Sequence, residues 1–141
     1  MEEMHTNWLA YAVAVVAQMA IGYIWFHPSV MGKKWAEANG RSIEDMKPKN
    51  PGLVYGLTMV YTLLNTLFLM VNVTGFGQEA VQFHTVKHGL FHALIFSILV
   101  ILPVLGTPSL HEGKPKGWMI VQLGYWFVRV SVAMAILSAW R

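Results

Sequence analysis

An arginine in the middle of a long apolar run needs a partner, and Arg129 is such a residue. It is the one charged side chain in the run Trp118–Trp140. Insertion scales put an arginine at a helix centre at about +2.5 to +3.5 kcal/mol. Either end of the run lies about 16 Å away at the rise of an α-helix, too far for the guanidinium to reach a headgroup fully. Three more apolar runs, approximately Trp8–Phe26, Leu53–Val73 and His84–Leu105, contain no Asp or Glu. The charge must therefore meet neutral acceptors, water, a bound anion or a carboxylate on another protein. Counted from the same end of each run, Arg129 is eleven residues from Trp118, Asn65 twelve from Leu53 and His92 thirteen from Leu105. These depths agree to about 3 Å. Gln18, eight residues from Phe26, lies slightly shallower. The expectation is a polar layer at mid-depth formed by Arg129, Asn65, His92 and Gln18, able to clamp the helices together, hold an anion or move a proton.

A second constellation is His84, His88 and His92, spaced by fours. Imidazoles at that spacing share a helix face and could reach one zinc or copper ion. No cysteine or carboxylate stands in register to complete a site, and Lys87 repels cations, so no metal is assigned and the three histidines remain weak candidates. Packing, or proton handling by His92, are the other readings. Paired carboxylates, a Gly-rich phosphate loop and a Ser–His–acid arrangement are all lacking in the sequence. His27 and His111, with Glu37 or Glu112 nearby, are the nearest approach to chemistry at the inner surface. No catalytic residue and no cofactor is implied.

The elements that must position these residues follow from length. A hydrocarbon core about 30 Å thick takes about 20 helical residues to cross, and each of the four runs is that long. With 55% hydrophobic and 12% charged residues in 141, the chain reads as one all-α membrane domain, 1–141, with helices approximately 8–26, 53–73, 84–105 and 118–140. The acidic start, Met1-Glu2-Glu3-Met4-His5, is unlike a signal peptide, so the first run is read as a retained span. The sequence pI of about 9.3 does not point to nucleic acid, because basic residues in such a protein report orientation. Lys33, Lys34, Arg41, Lys47, Lys49, Lys114 and Lys116 fall in two connections, against Lys87 and Arg141 on the other side. Seven against two predicts both basic loops in the cytoplasm and both termini outside.

Pro28 to Gly40 reads as a short interfacial helix, with Met31 and Trp35 flanked by Lys33, Lys34 and Glu37. The third run is expected to end near Pro103, Gly106 and Pro108. Thr58, Thr62, Asn65 and Asn72 fall on one face of the second run, and Gln122, Trp126, Arg129 and Ala133 on one side of the fourth. Ala10, Ala14 and Ala17, and separately Ser131, Ala135 and Ser138, permit close helix approach.

Asn7, Gly22-Tyr23-Ile24-Trp25-Phe26, Gly32, Trp35, His88-Gly89, Gly124-Tyr125-Trp126 and Trp140 form a pattern that resembles the bacterial family named domain of unknown function 1761, over nearly the full length. The resemblance implies a four-helix inner-membrane protein without an established activity, and an uncharged residue where Arg129 stands. Together these readings predict a small membrane protein whose partners are the lipid bilayer and either further copies of itself or other membrane subunits. In that role it would be a structural or accessory component. A small transporter or channel for protons or a small anion, using the polar layer, is the alternative.

Overall fold

The computed structural model describes residues 6–141, so the acidic stretch Met1–His5 lies outside the described residues. Among the described residues the chain is helical, with no strand. Four helices are long and apolar enough to cross a membrane: Trp8–Trp25, Pro51–Thr74, Val86–His111 and Lys116–Ala139. Local chemistry sets their starts. The Asn7 side chain accepts from the Ala10 N–H to cap α1 (Trp8–Trp25). Asn50 caps α3 (Pro51–Thr74) through the Leu53 N–H, with Pro51 in the first turn, where a missing donor costs nothing. Between them lies a wide turn, Pro28–Gly32, followed by the short α2 (Lys33–Ala38).

The third span differs from its sequence-based bounds at both ends. It starts at Val86 rather than His84, because the Thr85 hydroxyl accepts from the His88 N–H and takes the capping position. It continues past Pro103 and Pro108 to His111, as α4 (Val86–Phe96), a π turn (Ser97–Ile101) and α5 (Leu102–His111). In the π turn the Leu102 N–H reaches back five residues to the Ser97 carbonyl. Proline lacks a donor and crowds the carbonyl four residues earlier, which for Pro103 is Leu99. Loosening the ladder just before the proline makes room for the ring, and the helix proceeds.

The last helix, α6 (Lys116–Ala139), is the centre of the bundle. It packs against α1, α3, α4, α5 and α2, whereas α3 and α4 touch each other more sparsely. The buried core joins Ala14 of α1, Leu69, Met70 and Val73 of α3, Ala93 and Ile101 of the third span, and Val130, Ala133, Met134 and Leu137 of α6. Against α4, the approach is backbone to backbone. A Cβ added at Gly89 would lie 2.2 Å from the Met134 carbonyl oxygen, so only a glycine lets α4 sit this close. The spans alternate in direction. Asn7 Nδ2 donates to the Trp140 carbonyl at 3.2 Å, which brings the start of α1 and the end of α6 to one end of the bundle. At the other end α2 packs on the first turn of α6.

Candidate functional site

Arg129 is buried, with 4% of its surface exposed, and its surroundings can be built one helix at a time. On α3, Thr58, Thr62 and Thr66 each donate the hydroxyl hydrogen to the carbonyl four residues back, at 2.7, 2.8 and 2.6 Å. That habit satisfies the donor within the helix and leaves the oxygen lone pairs free to accept from outside it. On α1, Gln18 is fully buried and donates its amide to the Thr66 hydroxyl at 2.7 Å and to the Ala14 carbonyl at 3.2 Å. With both donors engaged there, its Oε1 faces α6. Arg129 uses both acceptors. Its Nε and Nη2 donate to Gln18 Oε1 at 3.2 and 3.0 Å, Nη2 also to the Thr62 hydroxyl at 3.2 Å, and Nη1 to the Tyr125 hydroxyl at 2.8 Å.

The walls are aromatic. The guanidinium carbon lies 4.6 Å from the Trp126 ring centroid and 5.3 Å from that of Tyr125, distances at which a cation is attracted to the ring face. Four of the five guanidinium N–H groups thus have acceptors, and all of them are neutral. Among the described residues Arg129 forms no ion pair.

Of the four residues expected at one level, Arg129 and Gln18 are brought together. Asn65 makes no hydrogen bond with Arg129, and its Oδ1 is buried without a partner. His92 belongs to a second cluster nearer the end of the bundle that holds both termini. Its Nδ1 pairs with Asn72 Oδ1 at 2.9 Å, and its ring lies 4.5 Å from that of His88, which pairs through Nε2 with Gln78 Oε1 at 2.6 Å. His84 turns away to the Glu79 carbonyl at 3.2 Å. The three imidazoles therefore have separate partners, and no group of three His, Cys, Asp or Glu among the described residues is placed to hold a metal ion. Arg141 ties this cluster down. Its guanidinium donates to the carbonyls of Val73, Gln78 and Phe83, and to that of Ser138 at 3.2 Å. Burial pushes its pKa below the usual arginine value, while Glu79 opposes the shift. An open pocket of about 260 Å³ is lined by Gln82, Phe83, Thr85, Lys87, His88 and Phe91.

His27 and His111 do not meet. His27 pairs with the Ser29 hydroxyl at 2.7 Å and His111 with the Thr107 carbonyl at 2.9 Å.

Several of the residues that carried the family resemblance, Gly22, Trp25, Phe26, Gly124 and Tyr125, meet at the α1–α6 seam, whereas Gly89 sets the approach of α4 to α6. The Trp25 indole donates to the Val121 carbonyl at 3.1 Å and lies on Gly124, where a Cβ would come within 2.8 Å of the ring. Phe26 packs between Tyr125 and Trp35, with centroids 4.9 and 4.8 Å away. Tyr125 OH comes within 3.2 Å of the position a Cβ on Gly22 would take. The model of the family described as "Protein of unknown function (DUF1761)" matches residues 9–138. The chain belongs to that family. No curated protein and no solved structure matches it. In this DUF1761 member the aromatic and glycine positions shape the seam that carries Arg129. Thr62, Thr66 and Tyr125 complete the site without having been singled out for it. The signal for the threonines was their spacing of four toward Gln18, and for Tyr125 its place one turn before Arg129.

Proposed function

We propose that this chain is a multi-pass protein of the cell inner membrane, with both termini outside the cytoplasm. It serves as a structural or accessory component that self-associates or joins a larger membrane complex. The observation that carries this reading is the self-sufficiency of Arg129. A cation that binds a substrate or a partner carboxylate must hold donors ready for it. Here α1, α3 and α6 supply neutral acceptors for four of the five donors, and two rings flank the charge. Such an arrangement locks three helices together. The outward faces carry large apolar side chains, among them Leu64 and Phe68 of α3 and Leu99 of the third span, suited to lipid or to other membrane helices.

The test is purification from the native host in mild detergent, with the mass of the assembly and its companions determined for wild type and Arg129→Gln. A structural clamp predicts the same companions for both and no effect of added anions on the melting temperature. Loss of a companion on substitution, or anion stabilisation of the wild type alone, would overturn it. Single-cysteine variants at Asn39 and Gly113 should be shielded from an impermeant thiol reagent in intact cells, while one at Gln78 should react. The reverse pattern contradicts the orientation.

One observation favours a second reading, a small transporter or channel for protons or a small anion. His88, whose ring lies against that of His92, lines an open pocket together with Lys87. Flux in proteoliposomes that disappears in His92→Phe supports it, and absence of flux in the wild type removes it.

A further inference from the structure

At the end of the bundle opposite the histidines, the two basic connections come together. Lys33 and Lys34 open α2 and Lys116 opens α6. The two helices pack so closely that the Lys34 Cε lies 4.0 Å, and the Ala38 Cβ 3.8 Å, from the position a Cβ on Gly117 would take. The basic residues here differ in their partners. Lys47 pairs with Glu44 at 2.8 Å and Lys114 with Glu112 at 3.5 Å. Lys33, Lys34 and Lys116 have no carboxylate partner among the described residues, and Glu37, on the same short helix, joins neither of the first two.

What borders these lysines is apolar. Val30, in the turn leading into α2, is 50% exposed, and Ile120, one helical turn beyond Lys116 and on the same face, is 53% exposed. Trp35 packs on Phe26, and Trp118 lies beneath Lys114 with the ammonium 5.9 Å from the ring centroid. Tryptophans gather where a membrane meets water. Unpaired ammonium groups set directly beside exposed aliphatic side chains match one kind of ligand: a phosphate joined to acyl chains.

We propose that the surface where α2 meets the start of α6 seats the phosphate of an acidic phospholipid, with Lys33, Lys34 and Lys116 as its cations and Val30 and Ile120 against its chains. The proposal rests on the reading that the four helices span a bilayer. The packing of α2 on α6 brings the helix that carries Lys33 and Lys34 against the one that carries Lys116 before lipid arrives. A soluble anion would use the lysines and leave the aliphatic border without a role.

The test uses the full chain reconstituted in phosphatidylcholine with or without phosphatidylglycerol, reading melting temperature and lipid retained in native mass spectra. Phosphatidylglycerol should raise the melting temperature of the wild type and remain bound. Lys34→Gln or Lys116→Gln should each weaken retention about fivefold, and the pair about 25-fold. Lys47→Gln, whose lysine is already paired, should behave as wild type. An inserted wild type indifferent to phosphatidylglycerol overturns the seat, as does one whose lysines capture an acidic protein instead. Equal stabilisation by inorganic phosphate in detergent, or equal lipid retention by the double variant, overturns it as well. Extraction of the wild type by alkaline carbonate would instead mean that the four-span reading itself fails, which separates the two.

Discussion

Two arginines at different heights of the bundle, one within α6 and one just past it, solve the same problem in different ways. Arg129 is enclosed by side chains from three helices, with Gln18 and Thr62 each oriented by a hydrogen bond of its own and aromatic rings flanking the charge. Arg141, just beyond the end of α6, is held by backbone carbonyls at the end of α3, in the following loop and at Ser138. Carbonyls at a helix C-terminus are unpaired acceptors whatever the side chains are, so any guanidinium that reaches them is accommodated. The cage around Arg129 exists because particular residues are present. It follows that the first site is sensitive to substitution in its walls, and the second mainly to loss of the arginine itself.

Both sites depend on the seating of α6, and unseating it should have the largest effect. Gly89→Leu forces a side chain into the Met134 carbonyl and should cost about 3 kcal/mol or more. Gly56→Leu, where a Cβ meets nothing within 4 Å, should stay within about 0.5 kcal/mol. Reversible unfolding in mixed micelles measures both, and equal effects would remove α6 as the common support.

Next comes the wall of the first site. Gln18→Leu leaves two guanidinium donors facing an apolar group and should destabilise by about 2–3 kcal/mol. Arg129→Gln removes the buried charge together with its desolvation penalty, and should be near neutral or stabilising. If Arg129→Gln costs more than Gln18→Leu, the charge is itself a source of stability and the contrast drawn here fails.

A smaller loss is expected at the second site. Arg141→Ala should cost about 1 kcal/mol and speed amide exchange in the loop 75–85 while leaving the region around Gln18 protected. The least effect should come from acid at a solvent-facing turn. The Ser42 hydroxyl and N–H, aided by Arg41, hold the Asp45 carboxyl below the usual carboxylate range. A depressed pKa in the folded state means that the contribution is present above the unfolded value and lost as pH falls through the folded one. Protection of the Ser42 amide, corrected for the intrinsic slowing of exchange in acid, should therefore fall while that at both arginine sites stays unchanged. A simultaneous loosening at Arg129 would show that the ends and the middle of the bundle are coupled.

The four spans were legible because hydropathy and length suffice to find them. The end of the third was not, since Pro103 and Pro108 normally terminate a helix and the π turn that tolerates them has no clear sequence mark. For the site, counting residues from the run ends sets Arg129, Asn65 and His92 at one level. The third span runs on to His111, so the count from Leu105 starts too early, and His92 lies beside Asn72, nearer the end that holds both termini. Asn65 stands about 100° around α3 from Thr66, and that angle separates it from the cage. Likewise Thr62 and Asn72, assigned to one face, serve different neighbours: Thr62 accepts from Arg129 and Asn72 pairs with His92. Which neighbour a face meets depends on how the helices are arranged around α6, and no single run encodes it. Arg141 escaped notice because its acceptors are backbone groups, which every residue has.

The bond between Gln18 and Arg129 joins residues 111 positions apart, and that distance is also a delay. A ribosome adding about 5–20 residues per second finishes Gln18 about 6–22 s before Arg129 exists. Throughout that interval the first and second spans carry a glutamine and a threonine whose intended occupant has not been made. When the last helix is complete, its arginine finds these acceptors already made, which lowers the cost of burying a charge. The order of the helices along the chain is thus an assembly schedule. A chain cut short before its final helix leaves the acceptor oxygen of Gln18 without its guanidinium partner.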